Sequence, residues 1–184
     1  MIRYYITDRR QLPAHESLLD CIARQLNLGI EMIQLRERDL DAHELYTLAQ
    51  AVLALPNPQG TRLLINDRVD VALAAGAGGV HLRGHAPAPL TIRATAPSDF
   101  LIGVSCHSVD EVRRSADEGA SFAVLAPIYP TPGKGPALGL DCLRDAAAAV
   151  AIPVLALGGI TAQRIAECLA MGAAGIAGIS MFQC

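Results

Sequence analysis

Short apolar runs alternate along this chain with longer stretches in which apolar residues recur at helical spacing, and the alternation repeats. Four segments share one grammar: a glycine closes a helix-like stretch, and an apolar run follows within a few residues. They are Gly29-Ile30-Glu31-Met32-Ile33, Gly76-Ala77-Gly78-Gly79-Val80, Gly119-Ala120-Ser121-Phe122-Ala123 and Gly172-Ala173-Ala174-Gly175-Ile176. Each interval holds one further strand-like run, Leu63–Asn66, Leu101–Ser105 and Pro153–Leu157, and Tyr4–Thr7 opens the chain as another. The pattern predicts eight strands. A length of 184 residues gives each unit room for one strand, one helix and two short loops.

Residues 15–27, 41–54 and 161–171 read as helices, with Leu45, Leu48 and Ala49, and Ile165 and Leu169, at helical spacing. Ser108 followed by Glu111 reads as a capping box that opens another. Strict strand–helix alternation leaves two architectures, a closed eight-stranded barrel or an open doubly wound sheet. The open sheet would want a G-x-G-x-x-G turn after its first strand, and none is present. The expected fold is therefore α/β, a compact (βα)8 TIM barrel forming a single domain over residues 1–184. Its last helix should be truncated or missing, since only Phe182-Gln183-Cys184 remain after the final strand signal.

Composition narrows the function. Apolar residues make up 52% of the chain, charged residues 18%, and the mean hydropathy is +0.33, which excludes disorder. Aromatic residues are only 4% with no Trp, too few for single-stranded nucleic acid to stack on. The net charge of -3 supplies no field for nucleic acid or an anionic membrane, so phosphate binding has to be local. The five cysteines lack C-x-x-C spacing and read as reduced thiols. No signal-peptide run or membrane-length apolar run occurs, so a cytoplasmic protein is expected. Small phosphorylated molecules are the expected partners, and a homo-oligomer stays open.

In such barrels chemistry gathers at the carboxyl ends of the strands, so polar residues directly after apolar runs are the candidates. Gly158 and Gly159 after strand seven, with Ser180 after strand eight, form a candidate phosphate cradle, because glycines let backbone N–H groups approach an anion at a helix start. Arg36, Arg38 and Lys134 are more cations than one phosphate requires. Asp67 reads either as a Mg2+ ligand beside a diphosphate or as a helix N-cap. His81 and His107 are the acid–base candidates, read alternatively as a hydrogen-bonded core histidine and a rim histidine. Cys106 adjoins His107, yet neighbours on a strand point to opposite faces, which argues against a nucleophile–base pair.

The pieces Gln34-Leu35-Arg36-Glu37-Arg38, Ile65-Asn66-Asp67, Gly79-Val80-His81-Leu82, Gly103-Val104-Ser105-Cys106-His107, Pro127-Ile128-Tyr129-Pro130-Thr131 with Lys134, Gly158-Gly159-Ile160-Thr161 and Ile179-Ser180 run in order along nearly the whole chain. Together they resemble the thiamine phosphate synthase family, which includes the TenI-type thiazole tautomerases. The resemblance implies a transferase of thiamine biosynthesis that joins an aminopyrimidine diphosphate to a thiazole phosphate and releases pyrophosphate. It implies that Gln34, Arg36, Arg38, Asn66, Ser105, Thr131 and Lys134 hold the pyrimidine and its leaving diphosphate, with Lys134 among the catalytic groups. Asp67 would bind Mg2+, and Gly158, Gly159 and Ser180 the thiazole phosphate.

The chain departs from the family pattern at four places. Ala86 stands where a second Mg2+-binding Asp is usual, Pro132-Gly133 displace a second hydroxyl before the lysine, and Arg38 replaces a Lys. Pro127 stands where tautomerases carry a histidine. Two alternatives therefore accompany the synthase. One is a TenI-type tautomerase with His81 or His107 as base; the other is a non-catalytic barrel that binds thiazole or thiamine phosphates.

Overall fold

In a computed structural model that describes residues 1–84 and 86–183, eight parallel strands close into a barrel in sequence order. The strands are β1 (Ile2–Ile6), β2 (Met32–Leu35), β3 (Arg62–Asn66), β4 (Gly79–Leu82), β5 (Leu101–Cys106), β6 (Phe122–Leu125), β7 (Val154–Ala156) and β8 (Gly175–Gly178). Between them run α1 (Leu18–Asn27), α2 (Ala42–Leu53), α3 (Val69–Ala75), α4 (Pro89–Arg93), α5 (Val109–Asp117), α6 (Gly139–Ala149) and α7 (Ala162–Ala170). Closure comes from β1 against β8, with Tyr4 opposite Ala177. Of the five cysteines read as reduced thiols, Cys184 lies outside the described residues.

The repeat has a backbone cause. Gly29, Gly76, Gly119 and Gly172 all take positive φ, between 69° and 89°, which ends each helix and turns the chain into the next strand. Alternation along the strands then sorts the side chains. Tyr4, Ile6, Met32, Leu64, Phe122, Val124, Leu155 and Ala177 fill the barrel interior. Residues one position away, such as Tyr5, Ile33, Ile65, Val80 and Ile102, pack outward against the helices in a larger aliphatic layer.

The helix starts correct the sequence reading in detail. The first helix begins at Leu18 rather than 15, because Ser17 is its N-cap and accepts from Asp20 N. Ser108 does cap α5, but the Glu111 carboxylate takes the N–H of His107 at 2.7 Å instead of closing a box on Ser108. The reciprocal box belongs to Asp41 and Glu44 at α2. After β8 the described chain forms a 3-10 turn, Ser180–Phe182. Phe182 packs on Tyr5, and its carbonyl accepts from Gln25 Nε2 at 2.7 Å. No helix among the described residues is long and apolar enough to cross a membrane. Among the described residues, Cys21, Cys106, Cys142 and Cys168 form no disulfide.

Candidate active site at the carboxyl ends of the strands

The inward positions change character toward the strand ends. Below lie apolar side chains; above them come Gln34, Asn66, His81 and Ser105 from four consecutive strands. Gln34 and His81 are only 1% and 3% exposed, so their polar atoms need partners inside the protein. They find them in one chain. Gln34 Nε2 donates to the Tyr4 hydroxyl at 3.0 Å, the hydroxyl meets His81 Nδ1 at 3.2 Å, and His81 Nε2 meets Ser105 Oγ at 2.8 Å. Since Tyr4 accepts from Gln34, its own proton goes to Nδ1, which leaves Nε2–H to donate to Ser105. The Ser105 hydroxyl hydrogen is then available for a ligand.

Gly103 makes room for this chain. A Cβ there would lie 2.3 Å from Phe122 Cζ and 2.9 Å from His81 Nδ1. Burial lowers the His81 pKa to about 3, with the Arg36 guanidinium adding to the push, so the imidazole is neutral throughout the physiological range. Of the two readings of His81, the hydrogen-bonded core histidine is the one its surroundings fit. A base with both nitrogens engaged and a pKa this low takes up almost no proton near pH 7.

His81 also makes stability depend on acidity. An unfolded histidine titrates near 6.5, so between about pH 6.5 and 3 the unfolded chain binds a proton that the native protein refuses. Stability is therefore lost as pH falls through that window, by about 2 kcal/mol between pH 7 and pH 5. Urea unfolding at both pH values should show this loss in the wild type and its disappearance in His81→Asn. Equal losses in the two proteins would assign the acid sensitivity to other groups.

His107 sits at the rim as expected, exposed, with Nδ1 2.7 Å from the Ala126 carbonyl. That bond ties the end of β5 to the β6 loop and leaves Nε2 as the acceptor in the neutral ring. Cys106 points the other way, into the layer beneath α5, with Sγ 3.4 Å from Ser115 Oγ, and burial raises its thiol to about 11. The two do not form a nucleophile–base pair.

Arg36 and Arg38 follow β2 and Lys134 follows β6, so all three lie in loops at the carboxyl ends of the strands. Arg36 is half-buried; burial, then Arg38, lowers the pKa of its guanidinium, and its backbone N–H is pinned to Thr7 Oγ1 at 3.0 Å. Arg38 and Lys134 are exposed. Among the described residues none of the three joins an ion pair, whereas Arg3, Arg9, Arg10, Arg24, Arg62 and Arg68 all do. Below Arg36, the buried Glu37 accepts from Thr7 Oγ1 at 2.6 Å and Arg9 Nη1 at 3.0 Å, riveting the loops after β1 and β2 together. Tyr4, Thr7 and Glu37 were not singled out by sequence. Inward alternation from Ile6 and Gln34 marks Tyr4, but nothing local marks the Thr7–Glu37 contact.

Gly158 and Gly159 take φ of 98° and 63°. Their closeness is first to the neighbouring loop: a Cβ on Gly158 would meet Pro127 Cα at 2.8 Å, and one on Gly159 would meet Tyr129 Cβ at 2.8 Å. The Gly158 carbonyl accepts from Tyr129 N at 3.1 Å and the Gly159 carbonyl from Arg164 Nη1 at 2.7 Å. The N–H groups of Gly159 and Ile160 have no acceptor among the described residues, and no side chain caps α7. Unpaired amides at a helix start are what an anion site requires. Ser180 follows on the adjacent strand and is exposed. Thr131 Oγ1 donates to the Tyr129 carbonyl at 2.9 Å, so its proton is engaged within its own loop.

Asp67 fits neither of its two readings. The N-cap of α3 is Arg68, with no side-chain cap bond. As a metal ligand Asp67 is already occupied: Oδ1 accepts from Arg83 N at 2.9 Å, and Oδ2 accepts from Asn66 Nδ2 at 3.2 Å and pairs with Arg83 Nε. Among the described residues no three His, Cys, Asp or Glu side chains are placed to share a metal. One carboxylate under an arginine is not a resident Mg2+ site, since Mg2+ would have to displace the guanidinium.

The family model described as thiamine monophosphate synthase matches residues 3–182. A protein of Aquifex aeolicus (strain VF5) is 44% identical over 97% of this chain and 96% of its own length. A protein of Roseiflexus sp. (strain RS-1) named thiamine-phosphate synthase is 39% identical over 97% of this chain and 77% of its own. The solved structure of a thiamine phosphate pyrophosphorylase from Pyrococcus furiosus superposes with a TM-score of 0.87 at 32% identity, covering 100% of this chain and 88% of that one. With a barrel of this topology and matches that run from end to end, this chain belongs to the thiamine monophosphate synthase family.

Proposed function

We propose that the protein joins an aminopyrimidine diphosphate to a thiazole phosphate, giving thiamine phosphate and pyrophosphate. One observation carries the reading: two separate features suited to anions share one end of the barrel. Arg36, Arg38 and Lys134 supply unpaired positive charge suited to a diphosphate. The amides after β7, beside Ser180, suit a monophosphate ester.

In this reading the C–O bond to the diphosphate breaks, and pyrophosphate leaves with the bonding pair. A cationic pyrimidine remains, and the thiazole nitrogen closes the new C–N bond. The three cations stabilise the charge that develops on the leaving group, which is the largest demand in such a step. Beneath the pyrimidine, the neutral His81 adds no positive charge against a developing cation. Ser105 and Gln34 orient the ring through the Tyr4–His81 chain. No step requires a protein base.

Purified protein given both substrates should release pyrophosphate and form thiamine phosphate in equal amounts. Interconversion of thiazole phosphate isomers without pyrophosphate release would instead favour the tautomerase, and binding without turnover the non-catalytic barrel. His107→Asn separates the first two directly. It should leave thiamine phosphate formation within about 3-fold of wild type, whereas loss of an acid–base group costs ~10²-fold or more. A drop of that larger size would place His107 in the chemistry.

A further inference from the structure

We propose that Arg83 takes the place of a metal ion at the leaving diphosphate, so that the protein recognises the diphosphate through a guanidinium anchored on Asp67. The inference rests on the synthase reading and specifies how its diphosphate site works. It starts from strand alternation. His81 points into the barrel and Leu82 into the outer layer, so Arg83 emerges on the side of the opening.

Arg83 is fixed there twice, its backbone N–H on Asp67 Oδ1 and its Nε on Asp67 Oδ2. The carboxylate it holds is 17% exposed, while the Arg83 side chain is 72% exposed. The anchor is thus sheltered and the cation is not. With Nε engaged, the two Nη groups have no protein partner among the described residues. Such a fork can give parallel hydrogen bonds to two phosphate oxygens, which a lysine cannot. Arg36, Asp67 and Arg83 follow three consecutive strands of the closed sheet, so two guanidiniums flank one carboxylate on the rim.

The charge balance agrees. A Mg2+ held by two carboxylates is neutral as a unit, and so is Arg83 paired with Asp67. Position 86, where a second carboxylate would leave this unit at minus one, is Ala. With Ala at position 86, the pair of Arg83 and Asp67 stays neutral.

The test is calorimetric titration of the intact protein with inorganic pyrophosphate, once in EDTA and once with saturating Mg2+. Wild type should bind pyrophosphate in EDTA, and Mg2+ should change the affinity by less than about 3-fold. Arg83→Ala should lose ~10-fold or more in EDTA, the scale of one charge-assisted contact. Arg83→Gln, which keeps a hydrogen-bond donor for Asp67 without the charge, should lose a similar amount and guards against a folding defect. Binding by wild type only when Mg2+ is present, or unchanged binding by both variants in EDTA, would overturn the proposal. The synthase reading is judged separately: absence of thiamine phosphate formation by a protein that binds pyrophosphate in this manner would remove that reading and leave the arginine site standing.

Discussion

Lys134→Ala should lower kcat/KM for thiamine phosphate formation by about 10²–10³-fold, the cost of removing one group that stabilises charge in a transition state. Lys134 is the only lysine in the chain, and it stands exposed in the loop between β6 and α6. Its backbone N–H closes a turn on the Thr131 carbonyl at 3.1 Å, while its ammonium pairs with no acid among the described residues. An exposed cation without an acidic partner adds nothing to the core, so the unfolding midpoint should stay near wild type. Pyrophosphate release measured against both substrates reads the effect. A loss below about 3-fold would take Lys134 out of the reaction.

Gly159→Asp carries the second large effect, and it combines two causes. The positive φ of 63° strains any side chain, and a Cβ would lie 2.8 Å from Tyr129 Cβ and 2.9 Å from the Pro130 carbonyl oxygen. The loops after β6 and β7 would have to separate, costing about 1–3 kcal/mol of stability. The carboxylate would also stand against the thiazole phosphate, so affinity for that ligand should fall by ~10-fold or more. Gly159→Ala introduces the strain without the charge. The difference in thiazole phosphate affinity between the two variants, read by calorimetry, isolates the anion site. Equal affinity would show that the glycine serves loop packing alone.

The barrel was legible because its signals are local. Each of the four repeat glycines has the left-handed backbone that its position after a helix suggested, and the apolar runs between them are the strands. The rim cations were legible for the same reason: Arg36 follows an apolar strand directly. What stayed hidden depends on contacts between distant residues. His81 could not be decided from its flanking valine and leucine, because its state is set by Tyr4, 77 positions away, and Ser105, 24 away. Asp67 was read by its neighbours as a cap or a metal ligand, and its real partner is Arg83 across the β3–β4 pair. The glycines after β7 were read as leaving room for an anion, and the body they approach first is the loop of Pro127 and Tyr129.

The account stands on two anion sites acting together at one end of the barrel. A crystal structure of the protein with thiamine phosphate and pyrophosphate bound tests it most directly. The predicted result places pyrophosphate against Arg36, Arg38 and Lys134, and the phosphate ester on the amides of Gly159 and Ile160 beside Ser180. Both phosphates gathered in one of these places, or bound with the loop after β7 empty, would contradict it.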